Sequence, residues 1–323
     1  MKNILVTGGA GYIGSHIIEK LIKEKKNVFI VDNLSTGYKR LINKKAQFYK
    51  SNINNIKNIK RIIKKNKIDS VIHLAASVKV TDSKKDNKLF YKNNVEGTSN
   101  IIKACKDSLV KNFVFSSTAA VYAGSNKKVT ELSKIKPKSV YGVTKLKAEK
   151  IIIKNLKKFK INYAILRYFN VVGASPSKKI GPLKKNDTLF KNISIAILKK
   201  NIDIKIYGNN FKTKDGTCIR DYIHVSDLSE IHIAVLKKIE KVKKTVILNC
   251  GYGKGISVKQ VVDKFIKISK KHVNVVILKK RSADIESSIA NNNNLKNFIK
   301  WKPRYNNLSF IIKSCMNWEK KVL

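Results

Sequence analysis

A short apolar segment, Lys2-Asn3-Ile4-Leu5-Val6-Thr7, runs directly into Gly8-Gly9-Ala10-Gly11-Tyr12-Ile13-Gly14, and helical periodicity follows from Ser15 through Ile22. A strand, a Gly-x-x-Gly-x-x-Gly turn and a helix in that order are the context that a dinucleotide fingerprint needs. Glycines at these positions permit a tight turn, close backbone approach to a pyrophosphate and close packing of helix on strand. The unpaired N–H groups at the helix start then face the phosphate oxygens. A second strand, Asn27 to Val31, ends in Asp32. A carboxylate there meets the hydroxyls of an adenosine ribose and repels a 2′-phosphate, which selects NAD over NADP.

Downstream, strand-like and helix-like segments alternate. Ala46 to Tyr49 is a short strand, Ile56 to Asn66 a basic amphipathic helix, and Ser70 to Ala76 an apolar run suited to a buried parallel strand. Val95 to Lys106 reads as a helix, Asn112 to Phe115 as a strand leading to Ser116-Ser117-Thr118, Tyr141 to Lys158 as a long helix, and Asn162 to Arg167 as a further strand. This alternation predicts a parallel sheet covered on both faces, with functional groups gathered at the strand C-termini. Asp32, the residues after Leu74, Thr118 and Phe169-Asn170 all fall there. Beyond Asn170 the pattern loosens: Gly173 to Asn186 is a loop, Gly251 to Gly255 a strand-to-helix turn, and Asn291 to Asn294 a turn with a helix cap.

Within the long helix, Tyr141 and Lys145 lie one turn apart on one face. An ammonium close to a phenol favours the phenolate, and a free tyrosine near pKa ~10 would otherwise be a poor base at neutral pH. A Thr118 hydroxyl beside the phenol would complete a proton path to a substrate hydroxyl. A Tyr and a Lys at this spacing recur by chance in many helices, so the pair gains its meaning from the nicotinamide site that the opening turn announces.

The formal net charge is +48 over 323 residues. A basic surface is the footprint of nucleic-acid binding. Here the lysines are spread along the whole length and accompany abundant Asn and Ile, as a codon bias would produce, so no nucleic-acid partner is expected. The field would still steer an anionic small substrate. Cys105, Cys218, Cys250 and Cys315 form no CxxC pair, and His16, His73, His224, His232 and His272 show no metal-ligand spacing. These suit a reduced cytoplasmic protein without a metal site. No apolar run approaches the ~18 residues of a membrane span, and no signal peptide precedes the first strand.

With these residues in place the chain resembles the extended short-chain dehydrogenase/reductases, and within them the UDP-glucose 4-epimerases and their UDP-N-acetylglucosamine-accepting relatives. The resemblance runs nearly end to end. It is strongest at Val6 to His16, Asp32-Asn33-Leu34, Phe115 to Tyr122, Leu166 to Asn170, and Asp215 to His224; the last is far more specific than the glycine turn. It implies an α/β fold, an NAD-binding Rossmann doubly wound parallel sheet over residues 1–170 with a smaller C-terminal α/β UDP-sugar-binding domain over 171–323, the chain crossing back into the first. It implies an isomerase, a UDP-sugar substrate, a homodimer, and no membrane.

The same resemblance assigns roles. Tyr141 would take the proton of the sugar 4-hydroxyl as the C4 hydrogen leaves, giving a transient 4-keto sugar that turns over within the site. Lys145 would bind the nicotinamide ribose and depress the Tyr141 pKa, and Thr118 would relay or orient the proton. The cofactor would meet Gly8, Gly11, Tyr12, Ile13, Gly14, Asp32, Asn33, Asn52 and Ile53. It would also meet Leu74, Ala75, Ala76, Asn93, Ser116, Tyr141, Lys145 and Phe169. Arg220 and Arg281 match diphosphate-binding arginines, Asp284 a uridine contact, and Asn170, Thr188, Tyr207 and Tyr222 further UDP-sugar positions. Arg220 beside Asp221 also admits a plain ion pair. Ser288 falls at the gatekeeper position, where a small residue admits a 2-N-acetyl group and a bulky Tyr excludes it.

Three positions depart from the family pattern. Asn52 replaces an Asp against the adenine, Val78 replaces a Lys that reaches the pyrophosphate (Lys79 is adjacent but points elsewhere on a regular strand), and Thr188 stands where Asn or His is usual. Rival readings are a nucleotide-sugar 4,6-dehydratase or a simple dehydrogenase. Dehydration across C5–C6 needs an additional acid/base pair after the Thr, and Ala119-Ala120 cannot supply it. A simple dehydrogenase would release NADH.

Overall fold

The structure, a computed structural model, describes residues 2–78, 86–125, 127–183, 188–199, 203–271, 273–281 and 284–323. Lys79 and His272 lie outside the described residues, as does part of the 173–186 loop. The first half alternates strands and helices: β1 (Asn3–Thr7), α1 (Tyr12–Lys23), β2 (Asn27–Asp32), β3 (Gln47–Lys50), α2 (Ile56–Lys65) and β4 (Ser70–His73). Then come α3 (Asn87–Tyr91), α4 (Gly97–Cys105), β5 (Asn112–Thr118), α5 (Val140–Lys158), β6 (Asn162–Tyr168) and β7 (Asn170–Val172). Next follow α6 (Leu189–Leu198), β8 (Ile204–Tyr207), β9 (Ile219–His224), α7 (Val225–Val242), β10 (Val246–Cys250) and β11 (Gly255–Ser257). Last are α8 (Val258–Ser269), β12 (Val275–Leu278), β13 (Ser287–Ser288), α9 (Asn293–Ile299) and α10 (Leu308–Val322).

A seven-stranded sheet runs in the order β10-β6-β5-β4-β1-β2-β3, and every pairing in it is parallel. Its strands are apolar runs because both faces are covered. Ile4 and Val6 point into a core shared with Ile17, Leu21, Leu228, Leu236 and Leu295, so α1, α7 and α9 cover that face. Leu5 points the other way, among Ile59, Ile62, Ile101, Ile102, Ile152 and Leu156 of α2, α4 and α5. The strand order reverses between β1 and β4, which opens a crevice at the C-terminal ends of these strands.

β10 is the strand that the sequence pattern does not reveal as part of this sheet. It follows α7, far along the chain, and pairs with β6 from Val246↔Ala164 to Cys250↔Tyr168. A second core gathers Phe190, Tyr222, Val261, Phe265 and Ile312 beneath a small sheet built on β9. After β10 the chain does not pass straight to a helix as expected: Gly255–Ser257 first pairs antiparallel with β9, and Ser257 then caps α8 in a reciprocal capping box with Gln260. At Asn291–Asn294 the helix does begin; its first N–H, on Asn293, donates to Asn291 Oδ1 at 3.1 Å, while the N-cap residue Asn292 makes no capping bond. Asn292 instead donates to the Gly251 carbonyl at 2.8 Å, tying the two segments together. Among the described residues no helix is long and apolar enough to cross a membrane.

Candidate active site

The glycine turn is built by close backbone approach. A Cβ on Gly14 would lie 2.4 Å from the Gly8 carbonyl oxygen, so a methyl group there would push the first turn of α1 off β1. Gly11 precedes α1 without a side-chain cap, leaving the helix start to face the crevice with its N–H groups. Asp32 closes β2, 7% exposed. Its carboxylate accepts from Ala10 N at 3.0 Å and Leu34 N at 2.8 Å. Burial raises its pKa and these two N–H groups oppose the rise. A cradle shaped by glycine, an uncapped helix start and a carboxylate at the end of the neighbouring strand fit a dinucleotide.

The other candidate cofactor residues lie around this crevice. Ala75 N reaches Thr7 Oγ1 at 3.3 Å, and Ala75 is the nearest neighbour that a Cβ on Gly8 would meet. Leu74, Ala75 and Ala76 are half-buried at the end of β4. Asn33 and Asn52 are exposed at the ends of β2 and β3, while Ile53 is buried against Gly97. Asn93 sits in a π-helical turn, Lys92–Glu96, and donates to Ser77 Oγ at 2.9 Å. Such single π-turns recur at functional sites because they reorient one or two side chains. Phe169 is buried between β6 and β7, its N–H donating to the Cys250 carbonyl.

Tyr141 and Lys145 occupy adjacent turns of α5. Ser139 caps this helix by accepting from Gly142 N at 3.1 Å. Gly142 packs so tightly against the 3₁₀ turn Ala119–Val121 that an added Cβ would come within 2.5 Å of the Ala120 oxygen. That approach brings Tyr141 to Thr118, whose side chain hydrogen-bonds the phenol. Lys145 is 2% exposed, with its Nζ 4.1 Å from the centroid of Phe115. It also acts electrostatically on His73 of β4. His73 in turn bonds Thr7, the residue before the glycine turn, at 2.6 Å. The Tyr–Lys pair and the dinucleotide turn therefore share one neighbourhood.

The tautomer of His73 follows from its partners. Thr98 donates its hydroxyl hydrogen to the Asn94 carbonyl, so it can only accept from His73 Nε2, 3.0 Å away. Nδ1 is left to accept from Thr7. A comparable deduction holds for His232, whose Nδ1 donates to the Leu228 carbonyl, leaving Nε2 to accept from the Tyr168 hydroxyl. Tyr168 also hydrogen-bonds Ser116, the candidate cofactor residue on β5.

In one respect the site departs from expectation. Burial pushes the Tyr141 phenol up to about 12, with the Thr118 hydrogen bond pulling it back only in part. The same burial drives Lys145 down to about 7, against the pull of Glu149. Desolvation, and not the Lys145 ammonium, dominates the phenol here, because the interior that brings the pair together penalises both charged forms.

The candidate substrate residues gather around β9 and β13. Arg220 Nη1 donates to the Ile219 carbonyl at 2.9 Å and the Ile285 carbonyl at 2.8 Å, and Nη2 stands 3.7 Å from Asp284 Oδ1. Arg281 grips Asp284 with both Nε, at 2.9 Å, and Nη2, at 3.1 Å, and lies 4.7 Å over the ring of Tyr207. One carboxylate thus gathers two guanidiniums, and the observed partners of Asp284 are these arginines. The alternative pairing of Arg220 with Asp221 is not what forms. Asp221 is fully buried and accepts from Tyr252 N, Gly253 N and Ala290 N at 2.8, 2.8 and 3.1 Å. Burial pushes it up to about 6 against those three N–H groups. Ser288 pairs in register with Arg220 on the neighbouring strand and is half-buried. Asn170 is exposed at the start of β7 and Thr188 precedes α6. Tyr222 lies in the apolar core, its ring 5.0 Å from Phe190.

Behind the Tyr–Lys pair is a buried network that the motifs do not announce. Glu149, one turn beyond Lys145, is bound by Arg167 at 3.0 Å through Nε and 2.7 Å through Nη2, and by the Ser117 hydroxyl. Arg167 also reaches Tyr122 at 2.9 Å, which donates to Asn249 at 2.6 Å. The extension of the four-residue spacing from Tyr141 to Lys145 and on to Glu149 is the signal that could have revealed it.

A model of the NAD dependent epimerase/dehydratase family matches residues 4–251. A UDP-glucose 4-epimerase of Lactobacillus helveticus is 37% identical over 98% of this chain and 97% of its own length. Among solved structures, the UDP-glucose-4-epimerase from Stenotrophomonas maltophila, crystallised with NAD and formylated UDP-arabinopyranose, superimposes with a TM-score of 0.95 at 30% identity, covering 100% of this chain and 99% of the other. The UDP-Glc/GlcNAc 4-epimerase from Campylobacter jejuni gives 0.86 at 34% identity, covering 99% and 100%. A relationship of this extent, over a crevice that holds the glycine turn, Asp32 and the Thr118–Tyr141–Lys145 group, makes the chain a member of the NAD dependent epimerase/dehydratase family.

Proposed function

We propose that the chain is an NAD-dependent isomerase that interconverts the C4 epimers of UDP-hexoses, UDP-glucose with UDP-galactose and UDP-GlcNAc with UDP-GalNAc, through a 4-keto sugar. The observation that carries this reading is the meeting of Thr118 with Tyr141 beside a buried Lys145, next to the dinucleotide turn. NAD, when bound, supplies the hydride acceptor and a positively charged ring. Gly8 to Gly14 would hold its pyrophosphate, Asp32 its adenosine ribose and Lys145 the nicotinamide ribose. Tyr141 takes the proton from the sugar 4-hydroxyl and later returns it, and Thr118 orients that proton through its hydrogen bond to the phenol. Arg220 and Arg281 neutralise the diphosphate; a guanidinium's fork suits phosphate oxygens, and Asp284 holds both forks ready. The tether lets the keto sugar turn over without leaving. We divide the chain near residue 170, with 246–250 returning to the first sheet, and place it in the cytoplasm as a homodimer. Four buried free cysteines are consistent with a reducing compartment.

The test is incubation of purified protein with UDP-Gal and, separately, UDP-GalNAc, without added NAD, followed by chromatography of the products. Both gluco epimers are expected, with no net rise in reduced-nicotinamide absorbance. Oxidised product that accumulates only when NAD is supplied, with an equal amount of NADH released, would favour a dehydrogenase. Ser288 supplies the substrate half of the prediction. Its register partner is Arg220, so its side chain lies on the same sheet face as a diphosphate ligand. Ser288→Tyr should cut turnover of the acetamido sugars by at least about 100-fold, the scale of a steric mismatch in a fitted pocket, while sparing UDP-Gal. Equal losses on both pairs would remove Ser288 as the selector.

A further inference from the structure

We propose that Glu149 is a positioning residue for this reaction: its carboxylate, held from behind by Arg167 and Ser117, keeps the buried Lys145 ammonium protonated and directed at the cofactor ribose. The inference rests on the functional reading above and deepens it. Tyr141, Lys145 and Glu149 form a column on one face of α5, spaced by single helical turns. Glu149 is 2% exposed, and its carboxylate is fixed by the bidentate Arg167 and the Ser117 hydroxyl. Geometry therefore fixes it one helical turn from Lys145, without a direct ion pair between the two.

The groups facing Lys145 from the other elements cannot take over this task. From β5 comes the Phe115 ring, a weak attraction for a cation. From β4 comes His73, kept neutral by burial, which pushes it down to about 3. From its own helix come Tyr141, whose phenol is pushed up, and Glu149, whose charge opposes the loss of the Lys145 proton. Arg167 of β6 stands behind Glu149 and presents its charge to the carboxylate. Among the described residues Glu149 is thus the anion whose charge acts on the ammonium. Without it, a buried lysine sheds its proton, and both the ribose contact and the positive charge beside Tyr141 are lost.

The experiment compares wild type, Glu149→Gln and Glu149→Asp as full chains. NAD affinity is measured by titration calorimetry from pH 6 to 9, and the turnover profile is recorded over the same range. Glu149→Gln should move the midpoint at which NAD affinity and kcat fall with rising pH about one unit or more to lower pH, the scale of losing one close opposite charge. Glu149→Asp, which keeps the charge, should restore most of that displacement. A purely structural role would weaken all values without moving the midpoint. Glu149→Gln leaves a buried guanidinium without its carboxylate, so a variant that fails to fold is replaced by Glu149→Gln/Arg167→Met, with a displacement of the same sign but smaller, because the opposing cation is removed as well. Coincident midpoints in a folded variant overturn the proposal. Wild type that binds NAD but interconverts no UDP-sugar overturns the functional reading instead, and the NAD midpoints still decide the role of Glu149.

Discussion

Replacing Tyr141 by Phe is expected to lower kcat on UDP-Gal by roughly 10³-fold, about 4 kcal/mol of transition-state stabilisation, with KM changed little. The phenol oxygen is the only part removed, so the packing of α5 against the Ala119–Val121 turn survives. Burial holds Tyr141 near 12 even with the Thr118 hydroxyl pulling it down, far from a useful base, so its function depends on further positive charge brought beside it. Thr118→Val should accordingly give a smaller loss, because it removes the group that pulls the phenol down while leaving the phenol in place. Steady-state kinetics with both epimers decides this. Tyr141→Phe retaining more than a tenth of wild-type kcat would mean that another group takes the proton.

The second large effect concerns stability. Lowering the pH from 7 to 4.5 is expected to cost several kcal/mol, enough to unfold much of the protein. His16, His73, His224 and His232 are each at most 2% exposed. Burial pushes them down to about 4, 3, 3 and 4 from 6.5. An unfolded chain takes up these four protons below pH 6.5, while the native state refuses them until pH 3–4. The stability they carry is therefore complete above pH 6.5 and is lost as pH falls. Two units below 6.5, each histidine costs on the order of a few kcal/mol. Asp221, raised to about 6, works the other way, since the native state binds its proton first; it offsets roughly 2 kcal/mol at pH 4.5. Asp32, Asp227 and Glu319, also raised by burial, offset more, and the net loss remains a sizeable share of a typical domain's roughly 5–15 kcal/mol.

Self-repulsion of a chain with a net charge of +48 also grows in acid, but salt screens it. Urea unfolding followed by circular dichroism at pH 7, 6, 5 and 4.5 in 0.5 M salt separates the two. The histidine contribution predicts a slope that persists in salt, and a flat stability down to pH 4.5 would contradict it.

Features that depend on local spacing were legible in the sequence. The glycine turn, Asp32 at the end of β2 and the Tyr141–Lys145 pair each involve neighbours along the chain, and each lies where the pattern put it. Features that depend on distant residues meeting were not. β10 joins the main sheet only because α7 carries the chain back to β6. The carboxylate of Asp221 is committed to three backbone N–H groups from segments far along the chain, so Arg220 turns to Asp284. The direction of the Tyr141 shift was missed for a physical reason: spacing reports that an ammonium is near, but not how much water the fold removes from both groups. The burial of Tyr222 in the apolar core is likewise not legible from its distance along the chain to Arg220.

The central claim is that a hydrogen leaves C4 of a UDP-sugar and comes back on the other side, with Tyr141 handling the hydroxyl proton. UDP-galactose carrying deuterium at C4, incubated with the purified protein in ordinary water and analysed by mass spectrometry and NMR, tests it directly. UDP-glucose that retains its C4 deuterium is the expected product. Absence of any gluco product, or a gluco product in which water has replaced that deuterium, would contradict the account.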